Sequence, residues 1–154
     1  MKKIGFTIGK FAPFHKGHEY LIETGIKEMD EFYVVVYDTN LLDIPSNRRA
    51  KWIKERFPEI KILYAHNPPS KIGLDVESVY IQMKYLSKII KGIPVTHFYN
   101  SEKYGEYVAK YLNITERNID IERNKFNICA TDIRNNLENK KEFLSEFVYN
   151  DLKH

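Results

Sequence analysis

The chain is short of several things, and each shortage removes a class of explanation. It has one cysteine, Cys129, among 154 residues. A single thiol cannot close an internal disulfide, so a reducing cytoplasm is the expected setting. No apolar run approaches the roughly 20 residues of a membrane-crossing helix, and mean hydropathy is −0.48. Met1-Lys2-Lys3 leads into a short run interrupted by Gly5 and Thr7, so no signal peptide is expected. An excess of one charge sign is also lacking. Lys+Arg number 24 and Asp+Glu 21, a net of +3, and the two signs are interleaved along the chain. That pattern argues against nucleic acid, which usually meets clustered basic residues, and is compatible with an anionic small substrate. There is no G-x-x-x-x-G-K-[ST] loop, no internal repeat, no low-complexity stretch and no linker. One domain over residues 1–154 is the expectation.

Present instead are 43% hydrophobic residues, with 11 tyrosines and nine phenylalanines, enough for a core and its sheet. Apolar runs alternate with helical periodicity, which predicts an α/β fold, a Rossmann-like doubly wound parallel sheet of about five strands with helices on both faces and helices at the C-terminus. Strands are expected at 3–8, 31–37, 60–65, 95–99 and 118–121. Phe32 to Tyr37 is apolar at every position, as in a central strand buried on both faces. A helix with Leu21, Ile22, Ile26 and Met29 follows the first strand. Ser46 is expected to cap a helix over 47–57, and Asp75 one running to about Lys91 with Val76, Val79, Tyr80, Met83, Leu86 and Ile90 on its apolar face. Gly92 and Pro94 mark its end. A helix over 104–112 ends at Asn113. Thr131 is expected to cap a helix over 132–137, and a last helix, 141–152, carries Phe143 and Phe147, with Leu144 and Val148 as further candidates.

The most informative stretch is Gly9-Lys10-Phe11-Ala12-Pro13-Phe14-His15-Lys16-Gly17-His18. It joins the first strand to a helix expected to begin near His18, at the carboxyl end of a parallel strand, where open α/β sheets bind ligands. Free N–H groups and the positive end of the helix dipole would face the loop. Gly9 and Gly17 can take positive φ and admit a ligand close to the backbone. His15 and His18, three apart, share one side of the first turn and can donate hydrogen bonds to phosphate oxygens. A lone H-x-x-H would mean little more than a helix start with surface histidines. The spacing is not that of H-E-x-x-H zinc sites and no third ligand follows. The whole string is far more specific than the pair.

A second stretch, Ile128-Cys129-Ala130-Thr131-Asp132-Ile133-Arg134, would place a threonine cap and an arginine at another helix start. Arginine there can hold phosphate oxygens bidentately. Alone it reads as a capped helix with a surface arginine. Beside the first loop it suggests two helix N-termini facing one polyphosphate.

Together, Gly-Lys-Phe-x-Pro-x-His-x-Gly-His at 9–18 and Ile-x-x-Thr-x-Ile-Arg at 128–134 resemble the His-x-Gly-His nucleotidyltransferase superfamily. Three further pieces, at 49–53, 99–102 and 122–126, make the chain more closely similar to the nicotinamide-nucleotide adenylyltransferase domain of bifunctional proteins that also carry a ribosylnicotinamide kinase. The resemblance covers nearly the whole chain, and the kinase loop is absent from it. Two positions depart from the family pattern. Cys129 stands where serine is usual, and a thiol is a poorer donor. No tryptophan lies between Lys71 and Asp75, which leaves base preference open.

The resemblance implies that ATP and nicotinamide mononucleotide give NAD and pyrophosphate, by in-line attack of the mononucleotide phosphate on the α-phosphorus. It implies that His15 and His18 hold ATP phosphates, that Lys10 lies between the two substrates' phosphates, and that Thr131 and Arg134 take the β- and γ-phosphates. Gly9, Phe11 and Gly17 would shape the nucleotide loop, and Asn100 and Ser101 would flank adenosine. Arg49 and Trp52 are candidates for the mononucleotide side, or else an exposed arginine beside a half-buried core tryptophan. Mg²⁺ would come with ATP, with few or no protein ligands. Oligomeric state, including a homo-oligomer, stays open. The same scaffold transfers adenylyl or cytidylyl groups to other phosphorylated acceptors, and a module that senses NAD or ATP without turnover is a further alternative.

Overall fold

Five short runs form strands in the computed structural model, which describes residues 1–70, 73–119 and 128–153. They are β1 (Ile4–Gly9), β2 (Glu31–Tyr37), β3 (Lys61–Ala65), β4 (His97–Asn100) and β5 (Thr115–Asn118). All pair in parallel, in the order β3-β2-β1-β4-β5. The helices between them are α1 (Lys16–Glu28), α2 (Ser46–Arg56), α3 (Val76–Ile89) and α4 (Gly105–Leu112). Three short helices follow: α5 (Ala130–Asn135), α6 (Leu137–Lys140) and α7 (Glu146–Leu152), with a 3₁₀ turn over Lys141–Phe143.

The two faces of β2 show why the chain winds this way. Phe32, Val34 and Val36 pack with Ile22 of α1, Ile53 of α2 and Val148 of α7. Val35 points the other way, with Met83 and Leu86 of α3 and Val108 of α4. Val34, Val35 and Val36 are all fully buried, and each contributes about 1.5–3 kcal/mol by leaving water. The chain lays β2 and β3 on one side of β1, then returns to place β4 on the other. Direction therefore reverses between β1 and β4, and a crevice opens beyond their carboxyl ends, where doubly wound sheets take ligands.

Asp75 caps α3 by accepting the Ser78 N–H at 3.1 Å, and Asn113 ends α4 in the left-handed region. Elsewhere the elements differ from the expectation. Ser46 is the first residue of α2 rather than its cap; Pro45 holds the cap position. The α3 core face runs through Val79, Met83, Leu86 and Ile90, whereas Val76 and Tyr80 are 88% and 54% exposed. The fifth strand begins at Thr115, and residues 120–127 lie outside the described set. The expected final helix is broken at Leu144, which is extended and buried. Ser145 there donates to Glu19 Oε2 at 2.9 Å. A buried carboxylate on α1 thus draws the chain inward and interrupts the helix; of the four candidates Leu144 and Val148 are buried, while Phe143 and Phe147 are partly buried against the same core.

The C-terminal helices are fastened to α2 as well. Asp151 accepts the Trp52 indole N–H at 2.7 Å and both Nε and Nη2 of Arg48 at 3.2 and 3.1 Å. Among the described residues no helix is long and apolar enough to cross a membrane.

Candidate active site

The loop after β1 is built around two histidines. α1 begins at Lys16, two residues before the expected start, so His15 is its N-cap and His18 its third residue. The Gly17 N–H donates to His15 Nδ1 at 3.0 Å, and the His15 N–H donates to His18 Nδ1 at 3.1 Å. This is the reciprocal arrangement of a capping box, with imidazoles in place of the usual hydroxyl and carboxylate. The rings stack with centroids 3.7 Å apart. A nitrogen that accepts an N–H carries no proton, so each neutral ring has its proton on Nε2. The fold thereby fixes both tautomers and makes both Nε2 atoms donors.

The glycines act differently from the expectation. Neither Gly9 nor Gly17 has positive φ; the residue that does is Phe11, at +50°. What the glycines supply is room. A Cβ on Gly9 would sit 3.0 Å from the Phe11 ring, and one on Gly17 would sit 2.9 Å from the His15 ring. Phe11 is buried and meets His18 edge-on at 4.8 Å. Its ring wedges the loop while its backbone turns. The Ala12–Pro13 peptide in the same turn is cis.

A cleft of about 930 Å³ opens along the carboxyl edge of the sheet, at the upper end of the range for small-molecule sites. His15, Gly17 and His18 line its centre, with Gly9, Lys10 and Phe11 beside them. One wing, at the ends of β4 and β5, carries Asn100, Ser101, Glu102 and Ile119, together with Cys129 and Ala130, and Tyr104 sits between it and Gln82 of α3. The other, at the ends of β2 and β3, carries Tyr37, Asp38, Thr39, Asn40, Pro68 to Ser70, and Gln82 and Tyr85 of α3. The site is elongated, with a helix N-terminus at its middle.

The second motif reaches this centre. Arg134 Nη1 donates to the Ala12 carbonyl at 2.6 Å, and its Nη2 to Thr131 Oγ1 at 3.1 Å. Two stretches 122 residues apart are thus joined beside the histidines. The cap of α5 is Cys129, not Thr131, which lies in the helix's first turn and is exposed. Cys129 and Ala130 line the cleft, whereas Thr131 and Arg134 are not among its lining residues. Lys10 is exposed at the cleft, and its carbonyl is tied down from below.

That tie is Arg49, which fits neither reading offered for it, while Trp52 follows the core reading, more deeply buried than expected. Arg49 is 1% exposed and Trp52 2% exposed, and neither lines the cleft. Arg49 donates to the carbonyls of Lys10, of Tyr37 at 3.0 Å and of Ile44 at 3.1 Å. Trp52 belongs to the core and donates to Asp151. Helical periodicity could not show that α2 turns this stripe inward. A guanidinium can be buried there because loop carbonyls converge on it.

Asn100 lines the cleft, but its side chain also builds the loop. Its Oδ1 accepts the Glu102 N–H at 3.0 Å and its Nδ2 donates to Glu116 at 3.1 Å. Gly105 is required beside it, since a Cβ there would fall 2.2 Å from Asn100 Oδ1. The stretch at 122–126 and residues 71–72 lie outside the described residues.

Sequence reasoning passed over Asp38, Tyr37, Tyr85 and Tyr104. Their only signal was position: Asp38 opens the loop after a central parallel strand. Burial pulls the Asp38 carboxyl up, but hydrogen bonds from the Asn67 N–H and from His66 outweigh it and leave it below the ordinary carboxylate range. Burial pushes Tyr104 up to about 12 and Tyr37 higher still, so both are neutral hydroxyls, able to donate, at any physiological pH.

A family model described as the citrate lyase ligase C-terminal domain matches residues 5–140. The trifunctional NAD biosynthesis/regulator protein NadR of Salmonella typhimurium is 29% identical over 154 aligned residues, covering 88% of this chain and 37% of its own length. The chain thus spans little more than a third of the curated relatives it matches. The crystal structure of NadR protein in complex with NAD and AMP-PNP has a TM-score of 0.67 at 22% identity, covering 93% of this chain and 44% of that one. A bifunctional NMN adenylyltransferase/ADP ribose pyrophosphatase from Francisella tularensis, complexed with AMP and manganese, has a TM-score of 0.66 at 19% identity, covering 99% and 52%. These structural likenesses establish the fold.

Proposed function

Because the chain belongs to the citrate lyase ligase C-terminal domain family, and because its cleft centres on two tautomer-fixed histidines at a helix N-terminus, we propose that it is a nucleotidyltransferase that joins ATP to nicotinamide mononucleotide, giving NAD and pyrophosphate. Residues 1–154 act in this reading as one nucleotidyltransferase domain. The observation that carries it is the Arg134 contact with Ala12, which joins the second motif to the first loop beside the histidines of the cleft. The names of the curated relatives support NAD chemistry, and those of the structural neighbours support adenylyl transfer and nucleotide ligands.

The chemistry needs no protein base. An oxygen of the mononucleotide phosphate, already anionic, bonds to the α-phosphorus of ATP; the α–β bridging P–O bond breaks and pyrophosphate leaves. Catalysis then consists of alignment and of stabilising charge on the α-phosphoryl oxygens. The His15 and His18 Nε2–H groups and the first N–H groups of α1 supply donors at the cleft's centre. Lys10 stands between the two phosphates as a point charge. Thr131 and Arg134 take the departing pyrophosphate, for which Arg134 exchanges the Ala12 carbonyl for phosphate oxygens. Magnesium enters as part of the substrate, MgATP; the manganese in the Francisella structure supports a divalent ion, and among the described residues no cluster of three His, Cys, Asp or Glu offers a protein-held site.

The elongated cleft suits two nucleotides end to end, adenosine toward Asn100 and Ser101 and the acceptor toward Asp38. The family's description names a ligase whereas the relatives' names concern NAD, so the acceptor is what an assay must decide. Pyrophosphate release from MgATP is measured with nicotinamide mononucleotide, phosphopantetheine, glycerol phosphate and choline phosphate. NAD formation with the first is expected. Turnover confined to another acceptor would refute the nicotinamide assignment, and NAD binding without any pyrophosphate release would make the domain a sensor.

A further inference from the structure

Each wing of the cleft carries one acidic side chain among its described lining residues, Glu102 at the ends of β4 and β5 and Asp38 at the ends of β2 and β3. Among the described residues that line the β2–β3 wing, Asp38 is the only one with a formal charge. Its carboxylate is held in place by the turn opposite. Asn67, at φ +52°, donates its N–H to Oδ2 at 3.1 Å, and His66 Nδ1 lies 3.2 Å from Oδ1. Tyr85 of α3 donates to the His66 carbonyl at 2.5 Å, which pins that turn. The Ser46 hydroxyl adds a further hydrogen bond, and the Asp38 side chain remains 36% exposed. These donors hold Asp38 ionised, its carboxyl below the ordinary range despite the opposing effect of burial. Arg49 lies beneath, buried and hydrogen-bonded to three carbonyls; its charge interacts with Asp38 from below, but only the Asp38 carboxylate is presented to the cleft. A ligand in this wing therefore meets a fixed negative charge.

We propose that Asp38 sets acceptor specificity by charge, favouring a mononucleotide whose base is a pyridinium bearing a neutral amide over one whose base bears a carboxylate. The inference rests on the adenylyl-transfer reading above. An N-glycosylated pyridinium is cationic. With a carboxamide it stays so, and is attracted to Asp38. With a carboxylate the base has no net charge and brings a like-charged group into the same wing. Like charges brought together at a binding surface are strongly disfavoured, and in a part-dehydrated cleft the repulsion is screened less than in bulk water.

The test compares kcat/KM for nicotinamide mononucleotide and nicotinic acid mononucleotide, by pyrophosphate release with MgATP. The wild-type chain is expected to prefer the amide by at least about 10-fold. Asp38→Asn keeps an acceptor for Asn67 and removes the charge; it should shrink that preference about 10-fold, mainly because the acid is used better. Asn40→Lys, which adds a cation to the same wing, should shift the preference in the same direction and decides the matter should Asp38→Asn fail to fold by circular dichroism. Equal use of both substrates by the wild type, or an unchanged ratio in folded variants, overturns the role of Asp38 alone. Turnover of neither mononucleotide overturns the nicotinamide reading and this inference with it.

Discussion

Replacing Arg49 by methionine tests the claim that this arginine builds the site from beneath. The side chain is 1% exposed and donates to the carbonyls of Lys10, Tyr37 and Ile44. Burial holds its pKa below the usual arginine value, with the Asp38 charge acting the other way, yet the group stays charged at any accessible pH. Hydrogen bonds from a charged donor contribute about 1.5–3 kcal/mol each, so three amount to roughly 4–9 kcal/mol gross. Methionine refills much of the volume and spares the cost of burying a charge, but it leaves polar oxygens facing a thioether. A net loss of about 2–4 kcal/mol is expected, because each buried carbonyl left without a donor costs about 1–3 kcal/mol and the spared burial of a charge offsets part of the total. Total stabilities run about 5–15 kcal/mol, so the variant should remain folded but melt early. Urea unfolding followed by circular dichroism reads the loss directly. Arg49→Lys should recover less than half of it, because one ammonium cannot span three carbonyls in two loops. If Arg49→Met unfolds within about 1 kcal/mol of the wild type, the three contacts are not holding the loops.

Three further outcomes follow from the geometry. His18→Ala should lower kcat about 10²–10³-fold while costing roughly 1 kcal/mol of stability for the lost cap; normal turnover in steady-state assays would remove His18 from the mechanism. Gly17→Ala should displace the His15 ring, since the new Cβ would lie 2.9 Å from it, and depress kcat far more than the melting temperature; an alanine variant with wild-type kcat would show that ring placement does not matter. Asp151 is held below the ordinary aspartate range by hydrogen bonds from Arg48 and Trp52. A depressed folded-state pKa gives stability that is present above the unfolded value of about 3.9 and lost as pH falls through the folded one. The urea-midpoint gap between wild type and Asp151→Asn should therefore be widest at pH 7 and shrink as pH falls below about 4; a gap independent of pH would contradict the ion pair.

Much of this molecule was legible because its periodicity is plain. The unbroken apolar run of β2 announced a strand buried on both faces, and Gly-Lys-Phe with His-x-Gly-His announced a loop between strand and helix. What escaped was anything set by contact between distant segments. That α2 turns Arg49 inward follows from carbonyls supplied by the first and second loops, and no local pattern encodes them. Asp38 has no motif around it and becomes a site residue only because β2 ends beside β1. The expected break-free final helix failed because Glu19, far back on α1, recruits Ser145. The glycines of the first loop were read for backbone freedom, and their use is to leave space for the Phe11 and His15 rings.

The segment bearing the histidines is clamped at two carbonyls two residues apart: Lys10 by Arg49 and Ala12 by Arg134. The two clamps come from opposite halves of the polypeptide, and they mature at different times during synthesis. When translation has passed β5, the five described strands and the Arg49 clamp exist, but Arg134 has yet to emerge. A nascent chain halted there would own those five strands and an unlatched loop. A partial product could thus acquire the sheet while the loop that bears the histidines is held at only one of its two carbonyls.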